Sequence, residues 1–194
     1  ASNFPMSAAK IVKVGGSLFE LPDLCARLSN WLEQEPHERI ILVPGGGAAA
    51  NVIRDLDRTH QLGEEAAHWL ALRMLQVNAH FLASLLPEAR VVATPLDAGR
   101  LSILDGLAFS QDDESQSARL PHLWDATSDS LAVRAAIVAH AHELVLLKSL
   151  GWDGPDWAAA ARAGVVDGHF PRIMQQAPGL RVRVVNLRTW QPPR

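Results

Sequence analysis

Two apolar runs early in the chain each end in a cluster of glycines. The run from Lys10 to Val14 is followed by Gly15-Gly16-Ser17, and the run from Arg39 to Val43 is followed by Pro44-Gly45-Gly46-Gly47. Apolar residues at helical spacing then follow each cluster. Two strand–turn–helix units in succession predict a parallel sheet with right-handed crossovers. Both glycine turns therefore belong at the carboxyl edge of that sheet, where ligands bind in such folds.

The rest of the chain continues this alternation. Apolar spacing predicts further helices over 64–86, from Ser128 to about His140 and over 155–163, and further strands over 91–93, 101–104, 143–147 and 181–186. The segment 165–174 is compatible with one more short helix, and the alternating strand 181–186 is expected at a sheet edge. Between 105 and 121 the periodicity fails, and the polar run around Asp112-Asp113-Glu114 predicts an exposed, mobile loop.

Length and charge narrow the class of protein. The 194 residues, 48% of them apolar, predict one domain over 10–194 that follows a flexible tail over 1–9. A net charge of −3 requires no basic face, so nucleic acid is not expected as a partner. No apolar run approaches the roughly 20 residues that span a bilayer. The single cysteine, Cys25, cannot form an intramolecular disulfide, so a reducing, cytoplasmic location is expected.

The glycine turns and two lysines suggest phosphate chemistry. Glycine lets backbone N–H groups approach an anion, and the helix that follows adds a positive dipole end, although either turn alone is equally consistent with a tight turn. Lys13 lies two residues before the first turn, and Lys148 ends a predicted strand. Lysine carries a compact charge that can follow a moving phosphoryl group. The alternative is that both are strand-end lysines whose ammonium groups reach solvent.

Two acidic residues are further candidates for this site. Asp129 lies at the start of the helix that Thr127 or Ser128 caps, where it is either a partner of the helix dipole or a carboxylate that orients the lysines or receives Mg²⁺. Asp153, next to Gly154, is typical of a turn and is a weaker candidate for a nucleotide contact.

Four motifs, in this order, resemble the amino acid kinase superfamily. They are Lys13-Val14-Gly15-Gly16-Ser17, Pro44-Gly45-Gly46-Gly47, Thr127-Ser128-Asp129-Ser130 at the start of an alanine-rich helix, and Leu146-Leu147-Lys148-Ser149 with Asp153-Gly154. The resemblance covers most of the segment 11–154. It implies an α/β fold, a three-layer αβα sandwich around a mainly parallel sheet, with ATP and Mg²⁺ as the phosphoryl donor.

The resemblance also implies a role for each matching residue. Lys13 and Lys148 would stabilise the transferring phosphoryl group, and Asp129 would organise both lysines. The remaining donor-side residues would be Gly15, Gly16, Ser17, Asp153 and Gly154. On the acceptor side, Gly45, Gly46 and Gly47 would cradle the substrate together with Thr127, Ser128 and Asp129.

Two further segments, 124–130 and 164–171, resemble a short aspartokinase-like branch of the superfamily. That branch includes a kinase of an aminomethyl-furan phosphate in methanofuran biosynthesis. The chain is therefore expected to be an ATP-dependent small-molecule kinase acting on an anionic acceptor, a phosphate or a carboxylate. If the acceptor carries that amine, Asp125 and Asp167 are candidate partners for it. The alternative, suggested by the short segment after Asp153, is a non-catalytic protein that binds a nucleotide or an oxyanion on the same fold.

The long helix over 64–86 leaves the oligomeric state open. Leu70, Met74, Val77, Phe81 and Leu85 are spaced to lie on one face. This stripe is either a core face or the interface of a homodimer or higher homo-oligomer.

Overall fold

The computed structural model describes residues 9–35 and 39–192. Its strands are β1 (Ala9–Val14), β2 (Arg39–Pro44), β3 (Arg90–Val92), β4 (Leu101–Leu104), β5 (Glu143–Lys148) and β6 (Arg181–Asn186). Its helices are α1 (Leu24–Glu33), α2 (Gly47–His60), α3 (Glu64–Leu85), α4 (Gly106–Asp113), α5 (Ser128–Val138), α6 (Trp157–Arg162) and α7 (Phe170–Met174). The predicted tail 1–9 lies outside the described residues except for Ala9, which begins β1.

The strands form one parallel sheet in the order β3-β4-β2-β1-β5-β6. β1 lies at the centre, paired with β2 on one side and β5 on the other, and β6 lies at the predicted edge position. In this order the residues that follow β1, β2 and β5 meet at one carboxyl edge. The α/β prediction is confirmed, and the functional motifs are brought together by the topology.

Helices cover both faces of the sheet. Alternate residues of β1 show this, because Ile11 packs into the cluster that contains α5 and α7, whereas Val12 and Val14 pack into the cluster that contains α1. A sheet buried on both faces needs almost continuous apolar strands, which is what β1, β2 and β5 provide. The three-layer αβα arrangement is confirmed.

The predicted apolar stripe of α3 is not its core face. The buried residues of this helix are Ala67, Leu72, Leu75, Asn78, Ala79 and Leu82. Val77 and Phe81 of the predicted stripe are 56% and 38% exposed. Because apolar residues occur all around this helix, their spacing did not identify the buried side. Self-association through the exposed stripe stays a prediction.

The predicted loop over 105–121 is wrong for its first half, which forms α4. Asp105 caps this helix by accepting hydrogen bonds from Leu107 N at 3.0 Å and Ala108 N at 3.1 Å. Asp113, expected to be solvated, is buried and forms an ion pair with Arg134 of α5, with Nη2 to Oδ1 at 2.6 Å. An eight-residue helix that buries a charged partner has too few apolar residues to show a period.

Among the helices of the described segments, none combines the length and the apolar character needed to cross a membrane.

Candidate active site

The two glycine turns pack directly against each other at the carboxyl edge of the sheet. A side chain on Gly16 would place its Cβ only 2.0 Å from the backbone nitrogen of Gly47. Gly47 also has a φ of +54°, a conformation that favours glycine. Asn78 of α3 fixes the second turn, because its side-chain amide donates to the carbonyl oxygens of Gly45 at 2.8 Å and Gly46 at 2.9 Å. Glycine is therefore required here by backbone contact.

Both candidate lysines converge on Asp129 beside these turns. Lys13 Nζ lies 3.0 Å from Asp129 Oδ1, and Lys148 Nζ donates to Oδ1 at 2.7 Å and Oδ2 at 2.8 Å. The carboxylate is 5% exposed and sits on the second residue of α5, at the positive end of that helix. One buried carboxylate thus holds two ammonium groups that come from β1 and from the end of β5.

The charges of this cluster shift one another. Burial alone would raise the pKa of the Asp129 carboxyl. The ammonium groups of Lys13 and Lys148 lower this pKa by more than burial raises it, so it lies below the ordinary value. Burial, and then the positive charge of Lys13, lowers the pKa of Lys148 to about 8 despite the opposing effect of Asp129. The cluster therefore carries two positive charges against one negative charge near neutral pH. That surplus favours an anion.

The carboxylate of Asp167, which is distant in sequence, binds the segment 127–130 that contains Asp129. Asp167 Oδ2 accepts hydrogen bonds from Thr127 N at 3.0 Å, Thr127 Oγ1 at 2.9 Å and Ser130 N at 2.9 Å. Its Oδ1 accepts from Ser130 Oγ at 2.5 Å and Phe170 N at 2.9 Å. Thr127 is the N-cap residue of α5, as predicted, but its own side chain makes no capping hydrogen bond. Asp167 supplies the cap instead.

A cavity of about 290 Å³ opens beside the lysine–aspartate cluster. Of the predicted residues it is lined by Lys13, Gly16, Ser17, Gly46, Gly47, Thr127, Ser128 and Asp129. Leu72, Leu75 and Leu131 form an apolar part of its wall. Both glycine turns, one lysine and the N-terminus of α5 thus face the same cavity.

Arg54 of α2 is a residue of this cavity that the sequence analysis did not identify. Its guanidinium lies over the Trp124 ring, 5.2 Å from the centroid, and its Nη1 donates to Asn51 Oδ1 at 2.8 Å. The Trp124 indole is held in turn by Asp57, whose Oδ2 accepts from Nε1 at 2.8 Å. Arg54 therefore adds a second cationic side chain to the cavity. Its position seven residues after Gly47, on the helix that the turn opens, is the signal that could have identified it.

Seven of the sequence candidates do not line this cavity. Three of them adjoin residues that do, because Lys148 binds Asp129 and because Gly15 and Gly45 belong to the two glycine turns. The other four lie outside the cavity. Asp153 and Gly154 line a separate open depression with Pro155, Trp157, Leu180 and Val182. Asp125 is not among the residues that line the cavity, and both oxygens of Asp167 are engaged by the cap of α5. Neither aspartate is placed to bind an acceptor amine.

The site fits a phosphate-bearing nucleotide. The two glycine turns contact each other next to Lys13 and Lys148, so backbone N–H groups and two ammonium groups lie close together. Ser17 Oγ lies 2.7 Å from Ser149 Oγ between the ends of β1 and β5. No group of three or more His, Cys, Asp or Glu residues that could hold a metal is found among the residues described. Mg²⁺ commonly binds through substrate phosphates and one or two carboxylates. We therefore assign it no protein ligands and treat it as part of the donor.

The fold and the site together define a class of protein. A parallel α/β sheet with two glycine turns, two lysines and a helix N-terminus at one carboxyl edge is an arrangement for binding and moving phosphoryl groups. The model of the amino acid kinase family matches residues 9–150. The chain belongs to the amino acid kinase family.

Relatives with known names agree with this membership. The [5-(aminomethyl)furan-3-yl]methyl phosphate kinase of Methanocaldococcus jannaschii is 27% identical over 139 residues, which are 70% of this chain and 63% of that protein. The chain thus matches less than two thirds of that relative's length.

Solved structures share the fold at low identity. Uridylate kinase from Archaeoglobus fulgidus superposes with a TM-score of 0.64 at 15% identity, over 92% of each chain. Aspartate kinase from Synechocystis gives a TM-score of 0.63 at 15% identity, over 91% of this chain and 38% of the other.

Proposed function

We propose that this protein is a small-molecule kinase that transfers the γ-phosphoryl group of ATP to an anionic acceptor bound in the cavity. The observation that carries the proposal is the convergence of Lys13 and Lys148 on the buried carboxylate of Asp129, at the edge of a cavity walled by two glycine turns. Phosphoryl transfer depends mainly on positioning and on neutralising charge, and this cluster does both.

Each residue of the cluster has a role in this proposal. ATP with Mg²⁺ supplies the phosphoryl group. Lys13 and Lys148 neutralise the charge that develops between donor and acceptor, and Asp129 keeps the two ammonium groups on either side of that position. The N–H groups of Gly15 and Gly45 donate to Leu147 O and Val14 O, so the remaining backbone N–H groups of the two turns hold phosphate oxygens. An acceptor that is already an anionic phosphate needs no strong base, so none is assigned.

The acceptor proposed is a phosphate monoester of the aminomethyl-furan type, as in a methanofuran-type cofactor pathway. The name of the relative from Methanocaldococcus jannaschii supports this choice. So does the cavity, because about 290 Å³ lies just below the range of roughly 300–1,000 Å³ for ligand pockets and suits a single small ring. Arg54 supplies a cation for the acceptor phosphate, and Glu20 lines the same cavity with a carboxylate.

Release of ADP in the presence of ATP–Mg²⁺ and a panel of phosphate monoesters and carboxylates tests the proposal. The aminomethyl-furan phosphate should be the best acceptor. Arg54→Gln should raise its KM by about tenfold or more with a smaller change in kcat, because one hydrogen-bonded charge pair with the phosphate is lost. Arg58→Gln is the matched control, since Arg58 lies on the same helix and pairs with Asp55 on the exposed surface.

Two results would contradict the proposal. If the KM of Arg54→Gln for the acceptor were unchanged, Arg54 would not bind the acceptor phosphate. Nucleotide binding without turnover of any acceptor would instead support the alternative of a non-catalytic binding protein.

A further inference from the structure

The wall of the cavity that α3 forms contains a histidine, His68. His68, Leu72 and Leu75 are spaced to share one face of α3, and all three line the cavity. Asn78, which holds the second glycine turn, lies ten residues further along the helix, about 15 Å along its axis. α3 therefore follows the cavity from the glycine turn, past two leucines, to His68.

A stack of rings fixes the orientation of His68. Its imidazole lies on that of His122, with centroids 4.6 Å apart and planes 21° from parallel. Both nitrogens of His122 are held by carboxylates, Nδ1 by Glu65 at 2.6 Å and Nε2 by Glu114 at 2.8 Å. Within the described part of the chain neither nitrogen of His68 takes part in a hydrogen bond. The stack thus positions a ring whose hydrogen-bonding atoms remain available to a ligand.

The neighbours of His68 keep it uncharged. Burial, and then the positive charge of His122, lowers the pKa of His68 to about 4, against the raising effect of Glu65 and Glu114. Burial acts against protonation of His122 too, but hydrogen bonds to Glu114 and Glu65 raise its pKa above the ordinary value. At neutral pH His68 therefore offers one N–H donor and one unprotonated nitrogen.

We propose that His68 binds the end of the acceptor that is remote from the reacting phosphate, and that the acceptor carries an amine at that end. The inference rests on the proposed function, because it assumes that the phosphate lies at the glycine turns. An ammonium group donates a hydrogen bond to the unprotonated nitrogen of His68, and the carboxylates of Glu65 and Glu114, which flank the stacked His122, favour a cation over a second anion at this end. The acceptor class is thus a phosphate monoester with an apolar ring in the middle and an amine at the far end.

Calorimetric titration with two probes tests this inference. One probe is the aminomethyl-furan phosphate, and the other is its analogue in which a methyl group replaces the aminomethyl group. The wild-type protein should bind the amine about tenfold or more tightly than the methyl analogue, as expected for a hydrogen bond to a charged group. His68→Phe should bind both probes equally, and His68→Asn should recover part of the preference.

Two control variants separate this inference from the proposed function. His80→Phe, on the exposed side of the same helix, should keep the full preference. Arg54→Gln should reduce the affinity for both probes by the same factor, because the substitution removes a contact with the phosphate that both probes carry. An unchanged preference in His68→Phe, or equal binding of both probes by wild type, overturns the role of His68 while leaving the kinase proposal intact. Failure of wild type to bind either probe overturns the amine-bearing acceptor, and ADP release with another acceptor then decides the kinase proposal separately.

Discussion

Replacing Asp167 with alanine should destabilise the whole domain and not only the cap of α5. The carboxylate accepts five hydrogen bonds, of which three come from the backbone N–H groups of Thr127, Ser130 and Phe170. The two hydroxyl donors can rotate to other partners, but the three N–H groups cannot. An unsatisfied buried donor costs roughly 1–3 kcal/mol, and entry of water favours the low end, so the loss should be about 3 kcal/mol.

Urea denaturation and thermal melting measure this loss. For a domain of this size, about 3 kcal/mol corresponds to a fall in Tm of roughly 6–12 °C. Asp167→Asn should cost about half as much, since its remaining oxygen can still face the three donors of Thr127 and Ser130. Asp156→Ala is the matched control, because Asp156 caps α6 through one exposed hydrogen bond to Ala159 N and should cost about 1 kcal/mol. A loss for Asp167→Ala no larger than that of Asp156→Ala would mean that the Asp167 carboxylate does not stabilise the domain through its backbone donors.

Three further predictions follow from the site and the core. The pKa of Lys148 is about 8, so the fraction of its ammonium form declines as the pH rises through that value. Because the ammonium form stabilises the transferring phosphoryl group, kcat/KM should decline over the same pH range. A kcat/KM that stays constant up to about pH 9 would contradict this. Gly16→Ala places a Cβ 2.0 Å from Gly47 N and should reduce kcat/KM by about 100-fold through displacement of the turns. Gly99→Ala, with nothing within 4 Å, is its control and should leave the kinetics unchanged. Asp113→Ala leaves the buried guanidinium of Arg134 unpaired and should cost about 3–5 kcal/mol in urea denaturation.

Most of the fold could be predicted because its signals are local. β1, β2 and β5 are mostly apolar runs, and a glycine turn follows β1 and β2 directly. The succession of two strand–turn–helix units was enough to predict a parallel sheet. α4 was missed because its eight residues contain too few apolar positions to show a period, and because its buried Asp113 pairs with Arg134, which lies 21 residues away. The buried face of α3 was misjudged for the same reason, since the contact of Asn78 with the second glycine turn selects it.

The candidate site likewise contains residues that could be predicted from the sequence and residues that could not. Lys13, Asp129 and Lys148 follow from motifs at strand and helix ends, and the structure brings them within hydrogen-bonding distance. Arg54 and His68 lie on helices whose orientation toward the cavity is set by tertiary packing. The position of Arg54 after the second glycine turn is a local signal for it, whereas no short motif marks His68. The sequence suggested Asp167 as a partner of an acceptor amine, whereas in the structure its carboxylate caps α5 by accepting hydrogen bonds from Thr127 and Ser130.

Phosphorus NMR of a reaction with ATP–Mg²⁺ and the aminomethyl-furan phosphate tests phosphoryl transfer by this protein, because it identifies the bond that forms. We expect the γ-phosphorus signal of ATP to decline while the signals of ADP and of a new phosphoric anhydride on the acceptor grow. Lys148→Met, which removes one of the two ammonium groups, should slow this conversion by orders of magnitude while the protein stays folded. Absence of a new anhydride or acyl phosphate with every phosphate monoester and carboxylate tried, in a protein that binds ATP, would contradict the account.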